Sequence, residues 1–162
     1  MLGIERFSAP EILRDDRLVY YESATQLNFY QYHRWSSEPA TMMRDLVAQR
    51  LAQMGLFAEV RLLPAREPVD YLLRGRLLNF EEVDYASSVQ GRAALELTLV
   101  RTRDRKVLWT AVRQAQSAVQ GRGTPAVVEA VNAASEQVLS ELLPLLVARA
   151  EQDIQQGVQA AP

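Results

Sequence analysis

Three acidic side chains close together, Glu81, Glu82 and Asp84, are the first feature of this sequence that could do chemistry. Paired carboxylates can divide acid and base roles, most obviously in glycoside hydrolysis. These three fall near the end of an expected strand, and the preferred reading is a solvated strand end. Asp15-Asp16 reads in the same bland way, as a turn. His33 is the single histidine, with Arg34 beside it and no nucleophile nearby in sequence, so a surface or structural place is expected. One histidine and no cysteine are too few ligands for a zinc site. The lack of cysteine also excludes disulfides and a thiolate nucleophile. Gly121-Arg122-Gly123 lacks the Lys-Ser/Thr that follows a phosphate loop. No catalytic residue, cofactor site or metal ligand is assigned.

The aromatics carry more. Phe29, Tyr30, Tyr32 and Trp35 crowd one short segment, and strand alternation places them on both faces. One face can serve the core, while the other leaves tyrosine near the surface beside Arg34. Tyr, Trp and Arg dominate protein-binding hot spots. Tyr30, Tyr32, Arg34 and Trp35 are therefore the candidate partner-binding residues. The competing reading has loops and the C-terminal tail covering them, with Trp35 wedged into the core under the first helix.

The elements that must position these residues follow from patterning. A chain of 162 residues, 48% hydrophobic and 23% charged, fits one ordinary globular core. A formal net charge of -2 points to neither an acidic nor a basic partner, and arginine interleaved with acid argues against nucleic acid. No apolar run reaches the length of a membrane span. The first residues lack the basic-then-apolar order of a signal peptide.

Leu2 to Phe7 is a short candidate strand. Leu18–Tyr21 and Leu27–Arg34 read as two strands of a hairpin. Ser36 and Ser37 can cap a helix over 38–54, whose apolar stripe includes Leu46 and Leu51 and which Gly55 stops. Leu56 to Leu63 reads as a strand ended by Pro64. Val69, Tyr71, Leu73, Gly75 and Leu77 alternate, as do Ala93, Leu95, Leu97 and Leu99. After a turn at Thr102–Arg105, Val107, Trp109 and Ala111 make another strand, with a bulge or exposed end expected at Arg113. Thr124 and Pro125 suit the start of a second helix over 125–148, which Pro144 should end or kink near Leu143. The expected fold is α+β, a mainly antiparallel sheet with two helices packed on one face. A single domain over 1–150 precedes a flexible tail over 151–162.

Phe29-Tyr30-Gln31-Tyr32-His33-Arg34-Trp35, the helix after it, and the entry Gly55, Phe57, Val60 together resemble the ABC-type transport auxiliary lipoprotein family, which includes the PqiC-like lipoproteins. Asp70-Tyr71, Leu73, Gly75, Phe80-Glu81, Trp109 and the closing helix extend the likeness over about residues 2–148. The resemblance implies a non-enzymatic protein-interaction module of an MCE-associated lipid-transport system in the Gram-negative envelope. It implies an MCE-domain substrate-binding protein and ABC transporter components as partners, and a periplasmic, outer-membrane-anchored location. The lipidated cysteine and signal peptide of the family are absent from this sequence, so anchoring rests on the resemblance. A homo-oligomer and direct binding of lipid stay open. Two other readings stay open as well: a small-ligand or lipid-binding periplasmic carrier with its cavity between helix and sheet, and a hydrolase using Glu81, Glu82 and Asp84.

Overall fold

One long strand organises the sheet. In the computed structural model, which describes residues 1–84 and 88–159, β5 (Tyr71–Val83) pairs antiparallel along its whole length with β6 (Gln90–Arg101). β6 pairs in turn with β7 (Lys106–Ala118). The other edge of β5 is shared. Its first residues take β1 (Leu2–Ile4) in parallel, and β1 takes β4 (Val60–Leu62). Its last residues take β2 (Arg17–Tyr21) in parallel, and β2 forms the expected hairpin with β3 (Leu27–Arg34). Helices α1 (Pro39–Met54) and α2 (Gly123–Gln159) pack on one face, α1 over β4 and β5 and α2 over β6 and β7. The fold is α+β, as the order of elements predicts.

The core is aliphatic: Leu73, Leu77, Leu95, Leu97 and Leu99 of the sheet meet Val47 and Leu51 of α1 and Val131, Val138, Leu142 and Leu146 of α2. Two glycines permit the closest approaches. A Cβ on Gly91 would lie 2.3 Å from the backbone nitrogen of Val131, so α2 rests directly on β6 there. A Cβ on Gly75 would overlap the ring of Phe7, which fills that gap in the inward row.

Several sequence expectations need correction. Neither Ser36 nor Ser37 caps α1; Glu38 holds the cap position without a side-chain hydrogen bond, and Pro39 opens the helix. Gly55 does close it, in a left-handed conformation at φ 72°. The strand expected over Leu56–Leu63 shrinks to β4, because only residues beside β1 find a ladder to join. In β7 the break in alternation comes at Leu108, not Arg113. The register shifts between Leu99 and Val100, Leu108 turns inward, and Val107 is left exposed. Arg113 keeps its place in the inward row, half-buried, with Glu141 of α2 at 3.4 Å.

The largest correction is α2. It runs through Pro144 to Gln159, over most of the 151–162 stretch expected as a flexible tail; residues 160–162 lie outside the described residues. Pro144 lies on the exposed side of the helix, where water can satisfy the carbonyl that loses its donor. Beyond it Leu146, Ala150 and Asp153 continue the inward face, all buried. Asp153 accepts from Arg101 at 2.6 Å and from the Tyr71 hydroxyl at 3.1 Å, which pins the last turns of α2 to β5 and β6. A buried carboxylate is tolerable only with such partners.

Candidate functional site

The aromatic segment lies on β3, which among the described residues pairs only with β2 and so forms an edge of the sheet. Its register is broken in the middle. Arg17 pairs with Arg34 and Val19 with Phe29, so Tyr30, Gln31, Tyr32 and His33 all stand opposite Leu18 alone. Bulges of this kind re-aim side chains and spoil an edge for further strand pairing.

Both ends of the bulge are tied down. At one end the guanidinium of Arg17 lies 3.8 Å from the centre of the Phe29 ring. Asp15 accepts hydrogen bonds from the Arg17 backbone N–H and Nε, at 2.9 and 2.7 Å. At the other end Arg34 donates to Asp16 at 2.6 Å, and the Trp35 N–H donates to the Asp16 carbonyl at 2.6 Å. The Asp15-Asp16 turn is thus an anchor for the bulge.

Between these anchors the aromatics separate. Trp35 is buried and its ring meets Phe80 at 4.8 Å, so it belongs to the core, as the competing sequence reading has it. Tyr30 is half-buried; its hydroxyl donates to Glu82 at 2.5 Å, and Tyr20 and His33 meet its ring edge-on. Tyr32 is 84% exposed, the most exposed of the large apolar side chains among the described residues. Gln31, His33 and Arg34 are exposed around it. The expected surface pair of tyrosines is therefore one half-buried anchor and one projecting ring. Nothing in the sequence marks the bulge that separates them.

The acidic cluster is not a solvated strand end. Glu81 and Glu82 lie between β2 and β6, in the middle of the sheet, and both are buried. Alternation sends them to opposite faces. Glu81 accepts from Arg92 at 2.6 Å, from Asn79 at 2.8 Å and from the Phe80 N–H at 2.6 Å. Glu82 turns to the helical face, because the register shift between Leu77 and Asn79 re-phases the strand. Burial pushes both carboxyls above the ordinary glutamate range. Arg92 opposes the rise at Glu81; at Glu82 the Tyr30 hydroxyl opposes it and Asp84 adds to it. Burial and Glu82 likewise push the Tyr30 phenol well up, which keeps it a hydrogen-bond donor. Asp84 is exposed. A cleft of about 260 Å³ beside Glu82 and Tyr30 reaches Gly121 and Gly123, where α2 begins. Glu82 is the carboxylate among the described lining residues: Glu81 is on the other face, and Asp84, though it acts on Glu82, stays outside the cleft.

A family model described as ABC-type transport auxiliary lipoprotein component matches residues 1–142. Among solved structures, a protein from Xanthomonas campestris is similar with a TM-score of 0.86 and 24% identity, over 96% of this chain and 88% of that one. PelC from Paraburkholderia phytofirmans, solved as a dodecamer, has a TM-score of 0.55 and 14% identity, over 86% and 84%. A hypothetical protein from Chlamydia trachomatis has a TM-score of 0.57 and 8% identity, over 91% and 96%. These likenesses show a shared fold. Comparison with curated proteins gives no match.

Proposed function

Because the chain belongs to the ABC-type transport auxiliary lipoprotein family, we propose that it acts without catalysis, as a docking module that joins transporter components in the Gram-negative envelope. The observation that carries this reading is Tyr32, a fully presented aromatic on a bulge fixed at both ends by charged hydrogen bonds. A rigid projecting ring loses little conformational freedom on binding, and burying it supplies most of what a hot spot needs. Arg34, already held by Asp16, borders it, and Tyr30 supports the bulge from beneath through Glu82. The bulge favours side-chain contact over addition of a further strand. Trp35 contributes by fixing the end of the segment from inside the core. Glu81 and Glu82 diverge and Asp84 is exposed, which speaks against this cluster as an acid–base pair.

The partner of this reading is the MCE-domain substrate-binding protein of a lipid-transport system, in the periplasm beside the outer membrane. The test is copurification of the two proteins after co-expression. Tyr32→Ser should keep the thermal midpoint within a few degrees, since the ring touches no core residue. It should weaken association at least about tenfold, the scale of a lost hot spot. Undiminished copurification by Tyr32→Ser would remove the bulge from the docking surface.

A further inference from the structure

The sheet has one long open edge. Among the described residues β7 pairs only with β6, so its other side is unpaired along Lys106–Ala118. The edges on the far side are blunted, β3 by its bulge and β4 by its brevity and the Pro64 that soon follows. Past its own bulge at Leu108, β7 keeps an unbroken register to Ala118 and holds no proline. Only Lys106 and Arg113 in it are charged. A long, regular edge of low charge is a template for pairing with another chain.

The direction of its free backbone groups follows from the ladder. The Val119 N–H donates to the Val89 carbonyl at 2.9 Å, and the same register runs on to Trp109 opposite Leu99. Bonded residues alternate in an antiparallel pair. Trp109, Ala111, Arg113 and Ala115 therefore bond to β6, while Thr110, Val112, Gln114 and Gln116 turn their N–H and C=O groups to the open side. Arg113 donates to the Val112 carbonyl at 2.8 Å, and Arg149 of α2 donates to that of Leu108 at 3.0 Å. Each carbonyl keeps a second lone pair for a further donor. Exposed apolar side chains border the same edge. Val112 stands on the open face of the sheet. Leu145 lies over the helical face, one turn from Glu141, which reaches Arg113, and one turn from Arg149.

We propose that β7 pairs antiparallel with β7 of a second copy of this chain, across a two-fold axis at Val112. Val112 is the middle residue of Lys106–Ala118. In this register it lies beside its own copy, Thr110 faces Gln114 and Arg113 faces Ala111, so no like charges meet. An axis one residue further on, at Arg113, would set two guanidiniums opposite each other, which is destabilising. The axis stands perpendicular to the sheet, so both helical layers fall on one side. The Leu145 faces of the two α2 helices then approach across the seam, and two seven-stranded sheets become one.

The test is the association of the full chain in solution, with distances measured across the seam. Sedimentation equilibrium up to about 100 µM should show a dimer. Val112→Lys places two cations at the axis and should weaken it at least about tenfold. Its thermal midpoint should stay within a few degrees, because the side chain is exposed. The chain has no cysteine, so Thr110→Cys, Gln114→Cys and Gln116→Cys can each carry a single nitroxide label. With the axis at Val112, equivalent backbones are offset by about 14 Å at both Thr110 and Gln114 and by about 27 Å at Gln116. Electron spin resonance should therefore find equal separations at the first two positions and a longer one at the third. A chain that stays monomeric leaves the edge to some other strand and overturns the proposal. A dimer undiminished by Val112→Lys, or unequal separations at Thr110 and Gln114, would also overturn it. Tyr32→Ser should dimerise normally, so this outcome is separable from that of the docking test.

Discussion

At Glu82 a carboxylate lies between two neighbouring strands with 7% of its surface exposed, and its hydrogen bond from Tyr30 does not fully offset the cost of burying its charge. Its folded pKa is raised while the unfolded chain keeps the ordinary value, so the folded state holds the proton more tightly. The stability this contributes is complete below the ordinary glutamate value and is lost as pH rises through the raised one. Glu82→Gln keeps an acceptor for Tyr30 and removes the charge. It should therefore raise the urea midpoint at neutral pH, with the gain shrinking as pH falls toward 4.5. Glu81 shifts in the same direction but is common to both proteins, so the difference isolates Glu82. A gain of equal size at both pH values would mean that burial of charge is not its cause. Trp35 offers a second measurement. Its ring packs on Phe80, but its indole N–H has no hydrogen-bond partner among the described residues. Trp35→Phe should cost no more than about 1–2 kcal/mol in denaturant unfolding, against about 3–5 kcal/mol for Trp35→Ala. Equal losses would show that the N–H, and not the packed ring, is what the core holds.

Among the elements, legibility tracked how local each determinant is. Gly55 ends α1 as its position predicts, and the alternation of Leu73, Leu77, Leu95 and Leu97 gives the inward rows of β5 and β6. The positions of the bulges were not readable, because each depends on which strand lies alongside; in β7 the expected break lies at Leu108 and not Arg113. Opposite Leu18, four residues of β3 share one neighbour, and alternation counted along the chain cannot show that. Glu81-Glu82 looked like an end because the strand's second neighbour, β2, comes from about 60 residues earlier. The length of α2 could have been read. Leu142, Leu146, Ala150 and Asp153 keep helical spacing, and only the acidic last member interrupts an apolar count. The consequence is measurable. Ending the chain after Ala150 removes the partner of Tyr71 and one partner of Arg101, so it should cost about 1–3 kcal/mol. Asp153→Ala should reproduce much of that loss. A truncated protein with an unchanged urea midpoint would show that these turns add nothing to the fold.

On the scale of the whole molecule, the proposed docking bulge on β3 and the last turns of α2 meet opposite ends of β5, one at Glu82 and the other at Tyr71. The same strand has a consequence in time. From Tyr71 onward the chain is a run of near neighbours: β5 turns into β6, β6 into β7, and α2 folds back over both. Before it, β1 and β2 have no sheet to join. Leu2 pairs with Tyr71 and Tyr20 with Glu82, so each must close a loop of more than 60 residues. Closing long loops is entropically slow compared with forming adjacent hairpins. Pulse-labelled hydrogen exchange during refolding should therefore find the amides of β6, β7 and α2 protected before those of β1 and β3. Simultaneous protection would indicate one concerted nucleus instead. A chain made from its N-terminus meets this order in reverse: its first strands emerge long before the strand that receives them. Until then, their open edges and the Phe7 ring need protection from other chains, a task for whatever accompanies the nascent polypeptide.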